Sequence, residues 1–338
     1  MTAPAHIAAA MRLAVEQSRA VKGATYPNPP VGAVILDSSG DVAGAGGTQP
    51  AGGVHAEVVA LRAAGERARG GTAVVTLEPC NHHGRTPPCV DALLEAGVVE
   101  VIYAAADPNP VAAGGADRLR AAGVAVTAGL SADEVAAGPL REWLHKQRTG
   151  VPHVTWKFAT SIDGRSAAAD GSSQWITSET ARADLHRRRA AADAIVVGTG
   201  TVFADNPSLT ARLPDGALAT RQPLRVVVGQ REIPPESAVL NEDSPTLLLH
   251  TRDPREVLRV LADRTDVLLE GGPTLAGAFL RAGAVDRILA YVAPMLLGGP
   301  VTAVDDVGVA TIAGALRWRY DGVERIGPDL LVSMVPGD

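Results

Sequence analysis

Both cysteines of the chain, Cys80 and Cys89, follow a His55-Ala56-Glu57 triplet. One imidazole and two thiols are the ligand number and type of a zinc ion that keeps one position open for water, whereas a structural zinc usually takes four protein ligands. Glu57 stands two residues past His55, too close to join the same ion without strain, and is placed instead to carry protons to and from a bound water. Two ordinary buried thiols are the competing reading. A disulfide fits less well, because this is a lone pair in a chain without a secretory signal. Both thiols falling behind one His-Ala-Glu favours the metal. His82 and His83, between the cysteines, read as polar loop residues or substrate contacts, since His55 completes the ligand set.

Regular elements must bring these residues together. Ile7, Met11, Ala14 and Ser18 recur at helical spacing. Tyr26-Pro27-Asn28-Pro29-Pro30 leads rigidly into an apolar strand over 31–36, and Asp37-Ser38-Ser39-Gly40 reads as a hairpin turn into a second strand over 42–46. On its own Asn28 is a turn residue at a strand entrance. His55-Ala56-Glu57 opens a helix from Ala56 to about Arg69, and a strand over 72–77 ends at Pro79-Cys80. A helix over 90–96 closes on Gly97, strands follow at 98–105 and 124–127 around a helix at 117–122, and Ser131-Ala132-Asp133-Glu134 reads as the capping box of a helix running to Arg148. Alternating strands and helices give a three-layer α/β domain. Thr149-Gly150-Val151-Pro152 breaks the pattern, so the expected domains are 1–148 and 152–338.

The second half restarts with a strand over 153–159. An Arg-rich helix over 179–192, a buried strand over 194–198 and a polar loop over 199–207 come next. Further strands are expected at 224–228, 246–250 and 267–270, the last running through Gly271-Gly272-Pro273-Thr274 into a helix to about Arg281. Such a turn lets phosphate approach backbone N–H groups, but it is more often just an ordinary tight turn, and it is not the G-x-G-x-x-G fingerprint.

A net charge of −6 without clustered Lys or Arg excludes a general nucleic-acid surface, and 3 % aromatics are too few for a single-strand stacking platform. His, Arg and Glu interrupt the first twenty residues, so they are neither signal peptide nor spanning helix. A soluble, cytoplasmic protein is expected.

His-x-Glu followed by Pro-Cys and a second Cys is the signature of zinc deaminases of nucleobases. Here eight residues, Asn81-His82-His83-Gly84-Arg85-Thr86-Pro87-Pro88, separate the cysteines instead of the usual two. That long form resembles the bifunctional pyrimidine deaminase/reductase family of riboflavin biosynthesis. The second half carries the rest of the likeness: Lys157 with Ser161-Ile162-Asp163-Gly164-Arg165, the stretch from Ser173 to Ser178, the run from Thr201 to Arg212, the stretch from Glu270 to Leu280, and that from Tyr291 to Gly299. The resemblance spans almost the whole chain. It implies an N-terminal cytidine-deaminase-like three-layer α/β/α domain and a C-terminal dihydrofolate-reductase-like α/β domain.

It also implies zinc on His55, Cys80 and Cys89, Glu57 as the catalytic proton carrier, and Asn28 on the pyrimidine. NADPH contacts are carried over to Ala159, Trp175, Thr201, Asp205 and the turn of Gly272, Pro273, Thr274, Leu275, Ala276, Gly277 and Ala278. Substrate contacts are carried over to Lys157, Ser173, Arg189, Leu209, Arg212 and Glu270. Two places depart from the family pattern: Gly47-Thr48 stands for an aromatic-His pair, and Gly229-Gln230 for an Asp-Ser pair expected near the cofactor's 2′-phosphate.

The implied reactions are deamination of 2,5-diamino-6-ribosylamino-4(3H)-pyrimidinone 5′-phosphate and NADPH-dependent reduction of its ribosyl group to ribityl, with no side chain evident as the second step's proton donor. The expected partners are this small phosphorylated pyrimidine and further copies of the chain in a homo-oligomer, with no nucleic acid and no membrane. Two other readings stay open on the residues alone: a zinc deaminase of a free nucleoside or RNA base with a non-catalytic second domain, and a zinc-stabilised interaction protein.

Overall fold

Helix α1 (Ala5–Val21) buries Ile7, Met11, Ala14 and Ser18 on one face, as their spacing predicts. After it come β1 (Gly32–Leu36), β2 (Val42–Gly47), α2 (Ala56–Ala64), β3 (Thr72–Leu77), α3 (Cys89–Ala96), β4 (Glu100–Ala105), α4 (Gly115–Ala121), β5 (Ala125–Ala128), α5 (Ala132–Ala137) and α6 (Arg141–Thr149). The strands form one sheet in the order β2-β1-β3-β4-β5, antiparallel through β1 and parallel from β3 onward. This computed structural model describes residues 3–84 and 87–337, so Arg85 and Thr86 of the insert between the cysteines lie outside the described residues. The chain divides into two compact units, Met1–Gly150 and Val151–Asp338.

The glycines of β2 show how the first unit is layered. A Cβ on Gly46 would meet Val59 of α2, whereas one on the next residue, Gly47, would meet Val21 of α1. Successive strand residues point to opposite faces, so the two helices cover opposite sides of the sheet. The approach is close: a Cβ on Gly32 would lie 1.9 Å from the Ala14 carbonyl oxygen, and one on Gly44 2.3 Å from that of Ala60. Ser18 adds a hydroxyl donated to the Pro30 carbonyl. The predicted α/β/α layering follows.

Two local expectations fail. The helix predicted from a capping box at Ser131 to Arg148 is two helices, α5 and α6. Ser131 sits at φ 57°, in the left-handed region, while a capping serine needs extended backbone, and no side-chain cap bond forms. Gly138 then leaves helical geometry at φ −111° and ψ −118°. Likewise α2 stops at Ala64 instead of Arg69, because Gly65 turns to φ 54° and a short 3-10 turn follows.

In the second unit β6 (His153–Ser161) is followed by α7 (Glu179–Ala191), β7 (Ala194–Gly198), α8 (Thr199–Asp205), β8 (Leu224–Val228), β9 (Thr246–Leu249), α9 (Pro254–Val260), β10 (Asp266–Leu269), α10 (Pro273–Arg281), β11 (Arg287–Ala293), β12 (Trp318–Ile326) and β13 (Asp329–Pro336). Their sheet runs β12-β13-β11-β6-β10-β7-β8-β9, parallel except where β13 pairs with β11 and β12. Ala194 and Val196 of β7 join one apolar cluster while Ile195 and Val197 join another, so the sheet is covered on both faces. Ser178 caps α7 by accepting from the Ala181 N–H.

The stretch expected as a polar loop at 199–207 is mostly the helix α8, held by buried Val202 and closed by Asn206 at φ 42°. The last three strands were not predicted, although β13 alternates buried Leu331, Ser333 and Val335 with more exposed neighbours.

The contact at Gly32 is backbone against backbone, so a side chain there must push α1 off the sheet. Gly32→Val should destabilise the first unit by about 3 kcal/mol, read as a lowered urea midpoint by circular dichroism. Gly314→Ala, where a Cβ meets nothing within 4 Å, is the matched control and should melt unchanged.

Candidate functional site

Three element ends meet in the first unit. His55 is the extended residue that enters α2, Cys80 follows the end of β3, and Cys89 is the first residue of α3. His55 Nδ1 lies 3.3 Å from Cys89 Sγ and 3.5 Å from Cys80 Sγ, and the Cys89 N–H donates to Cys80 Sγ at 3.4 Å. Zinc with bonds of about 2.0 Å to nitrogen and 2.3 Å to sulfur sets tetrahedral N and S atoms about 3.5 Å apart. The triangle fits.

Its electrostatics fit too. Cys80 is drawn toward ionisation, to about 4, first by its hydrogen bond with Cys89 and then by that with His55, whereas Cys89 is pushed up by the same contact with Cys80 and by burial. Two sulfurs this close and this buried do not both ionise by themselves. A divalent cation between them removes that obstacle. His55 is raised, chiefly by its hydrogen bond with Cys80. Glu57, 4 % exposed in the first turn of α2, is lifted by burial to about 7, with the Cys80 charge acting in the same direction.

A cavity of about 360 Å³ opens on this group. Asn28, His55, Glu57, Cys80 and His82 line it, with Cys89 wholly buried behind. Thr48, at one of the positions that depart from the family pattern, also lines it and accepts the Val31 N–H at 3.2 Å. The sequence reading missed Glu78, Asp107, Asn109, Trp143 and Gln147, which complete the wall. Glu78 accepts the Ala116 N–H at 3.0 Å and the Asp107 N–H at 3.4 Å, fixing the loop that carries Asp107 and Asn109. Burial, above all, raises the Asp107 carboxyl. The available signals were Glu78 beside Pro79-Cys80, and Trp143 and Gln147 four apart on one helix.

The second unit holds a cavity of about 590 Å³. Lys157, Ala159, Ser173, Trp175, Arg189, Thr201, Asp205, Leu209, Arg212 and Glu270 all line it, although they come from β6, the segment between β6 and α7, α7, α8, the segment after α8 and the end of β10. The residues from Gly272 to Ala278 do not line it. The Gly272 N–H donates to Thr201 Oγ1 at 3.1 Å, so the turn adjoins the cavity, while Ala276 and Gly277 face inward and are buried.

Arg189 and Glu270 form a bidentate pair, Nε to Oε1 at 2.7 Å and Nη2 to Oε2 at 2.8 Å, and Arg189 Nη1 donates to the Thr210 carbonyl at 3.2 Å. The Arg189 charge holds the Glu270 carboxyl down against its burial. Burial lowers Lys157, whose ammonium lies 5.8 Å from the centre of the Tyr291 ring. Tyr291, His186 and Arg182 line the same cavity and were not anticipated; Arg182 stacks on Trp175 at 4.6 Å.

The family model described as the cytidine and deoxycytidylate deaminase zinc-binding region matches residues 5–105, and that of the RibD C-terminal domain matches residues 152–332. The chain is 72 % identical over 326 residues to the riboflavin biosynthesis protein RibD of Mycobacterium tuberculosis, covering 96 % of each, and 40 % identical over 347 residues to that of Escherichia coli, covering 92 % and 94 %. Among solved structures, RibD of Acinetobacter baumannii matches with a TM-score of 0.88 at 36 % identity, covering 98 % of this chain and 99 % of that one. A diaminohydroxyphosphoribosylaminopyrimidine deaminase/5-amino-6-(5-phosphoribosylamino)uracil reductase of Thermotoga maritima matches with a TM-score of 0.89 at 31 % identity and the same coverage.

The ligand triangle is directly testable. Cys89→Ala removes one thiolate, so the variant should contain little zinc by elemental analysis while keeping the circular dichroism of the second unit. Full zinc occupancy would strike Cys89 from the ligand set.

Proposed function

The chain belongs to the RibD family of bifunctional riboflavin-biosynthesis proteins, and from that membership we propose how its residues divide the work. It is a zinc-dependent deaminase and an NADPH-dependent reductase. Relatives matching across nearly the full length leave no support for a nucleoside deaminase with an inert second half. Deamination is assigned to residues 1–148 and ribosyl reduction to 152–338. The observation that carries this division is the His55, Cys80 and Cys89 triangle with buried Glu57 in one unit and the cavity around Lys157, Arg189 and Glu270 in the other.

For the first reaction, zinc bound by the triangle supplies the Lewis acidity that makes water a nucleophile near neutral pH. Glu57 Oε takes one proton of the attacking water and passes it to the ring nitrogen of the diaminopyrimidine, then takes the second from the added hydroxyl and gives it to the departing amine as the carbonyl forms. Burial raises this carboxyl above the ordinary carboxylate range, which suits a group that must both take and give a proton. Asn28 orients the pyrimidine. The Glu78 clamp holds Asp107 and Asn109 at the other wall.

For the second reaction, bound NADPH supplies hydride to the ribosyl carbon. Lys157 presents its ammonium to the substrate beside Glu270, which Arg189 keeps ionised and fixed. Each nitrogen of the Arg189 fork already donates within the protein, to Glu270 or to the Thr210 carbonyl, so we give the substrate phosphate first to Arg212, which lines the cavity and whose Nη1 donates to the Gly216 carbonyl at 2.8 Å. We place the protein in the cytoplasm on the strength of its metabolic reading; separately, no helix among the described residues is long and apolar enough to cross a membrane. It is placed there as a homo-oligomer; Tyr320, Val323 and Leu330 expose apolar surface on the β12–β13 edge, which self-association would cover.

Two substitutions test this division. Glu57→Gln should keep its zinc and its NADPH-dependent reduction of deaminated substrate, while ammonia release falls by about a hundredfold or more; unchanged ammonia release would remove Glu57 from the mechanism. Arg212→Ala should weaken reductase turnover of the phosphorylated substrate by about tenfold and affect the dephosphorylated one far less. Equal losses on the two would show that Arg212 does not read the phosphate.

A further inference from the structure

The segment between α8 and β8 carries Leu209 and Arg212 to the cavity wall without joining the sheet. Its backbone is unusual. Asn206 at φ 42° and Leu209 at φ 52° both stand in the left-handed region, and Leu209 is a buried leucine with no polar side chain to favour that geometry. Such a conformation persists where the surroundings over-determine it.

Side chains from elsewhere in the unit do so. Arg225, on β8 and wholly buried, donates through Nη1 to the Ser208 carbonyl at 3.0 Å and to Asn241 Oδ1 at 2.7 Å. Its Nη2 donates to the Asn241 carbonyl at 2.6 Å and to the Ser244 carbonyl. Arg189 and His186 hold the Thr210 carbonyl, each at 3.2 Å. Gln222 takes the next residue at both of its backbone polar groups: Oε1 accepts the Ala211 N–H and Nε2 donates to the Ala211 carbonyl, each at 2.8 Å. Nε2 also donates to the Ala219 carbonyl at 2.8 Å. One acceptor beside two donors is what a carboxamide offers and what a carboxylate, an ammonium or a guanidinium cannot.

The Ala219 N–H donates to the Ala211 carbonyl at 3.0 Å, closing a short turn in which Arg212 pairs with Leu218 across an isolated bridge. Arg212 also donates to Gly216 within this turn, so the guanidinium goes where the turn goes. The tip, residues 213–218, is exposed, and so short a two-stranded piece is marginal by itself. Its direction is therefore set at the base, where Ala211 is wholly buried and Gln222 is its partner. The competing reading makes Gln222 a loop stabiliser. Against it, all three of its side-chain bonds fall on the two residues that close the Arg212 turn.

Resting on the phosphate reading of Arg212, we propose that Gln222 is a positioning residue of the reductase. By gripping Ala211 it aims Arg212 at the substrate phosphate, while Arg225 fixes Ser208 and Leu209 behind it. A charge-assisted hydrogen bond is directional, so a shift of the turn by about an ångström is enough to weaken it.

Steady-state reductase kinetics of the full chain test this on the deaminated substrate with and without its phosphate. Gln222→Met keeps the size of the side chain and loses all three bonds. It should lower kcat/KM for the phosphorylated substrate by about fivefold or more, chiefly through KM, and leave the KM for NADPH and kcat/KM for the dephosphorylated substrate within about twofold. The same change in an Arg212→Ala background should add less than about twofold, because the group being aimed is gone. Should Gln222→Met not reach the native circular dichroism, Gln222→Glu, which loses both donors, gives the same readings. No change on the phosphorylated substrate, a full additional loss in the Arg212→Ala background, or equal losses on both substrates would overturn the assignment and leave Gln222 a loop stabiliser. An Arg212→Ala chain that does not distinguish the two substrates would overturn the phosphate reading and this inference together.

Discussion

Charge placed where water is excluded has to be compensated, and both cavities are organised by that requirement. In the first unit the excess is negative: the two sulfurs and the Glu57 carboxyl crowd around the His55 imidazole. Protons can relieve part of the crowding, and they do so by keeping Cys89 a thiol and lifting Glu57. A cation relieves it more completely, because it accepts both thiolates and leaves the carboxyl as the one group free to exchange protons. Placing the ligands at the ends of β3 and the starts of α2 and α3 is what brings the donors to zinc distance without a metal to pull them there.

The second unit compensates within the protein. Arg187, Arg188 and Arg189 are consecutive, and a run of like charge on a helix ordinarily makes a solvated face. Their side chains are 68 %, 28 % and 14 % exposed, so the run passes from solvent into the cavity wall within a single turn. Arg187 and Arg188 both pair with Asp184, and Arg188 also reaches the Tyr291 hydroxyl at 3.0 Å. Tyr291 in turn donates to Asp184 at 2.5 Å, and burial pushes its hydroxyl well up, so it remains a donor. Arg189 is spent on Glu270. One turn of helix thus supports both the floor beneath Lys157 and the carboxylate beside it.

Sequence legibility follows how local each feature is. The ligand triplet can be read as a set because residue type and short spacing both point to metal chemistry, and the parallel strands declare themselves as buried apolar runs such as Ile195-Val196-Val197. Long-range closures leave no such trace. Asp163 accepts the Leu297 and Gly298 N–H groups at 3.2 and 2.8 Å, and with the Ser161 hydroxyl these hold its carboxyl near 2. Two stretches of the family likeness are therefore one hydrogen-bonded corner, a pairing no periodicity reveals. The Glu78 clamp on Ala116 is hidden in the same way. The capping-box reading failed for a different reason: the residue pattern was present at Ser131, but backbone geometry decides whether a cap forms.

Compensation also orients the substrate of the second unit. Both Glu270 oxygens accept from Arg189, and among the described residues no hydrogen bond joins Glu270 to Lys157. Among the described residues the Lys157 ammonium makes no hydrogen bond and has the Tyr291 ring beneath it. A half-buried ammonium on the cavity wall suits a ligand that supplies acceptors. Inorganic anions are poor candidates at that depth, because Glu270 stands beside it; neutral carbonyl and hydroxyl oxygens suit both charges. This fits the proposed reading, in which the pyrimidine and ribosyl oxygens go to Lys157 and the phosphate to half-buried Arg212, on the segment after α8.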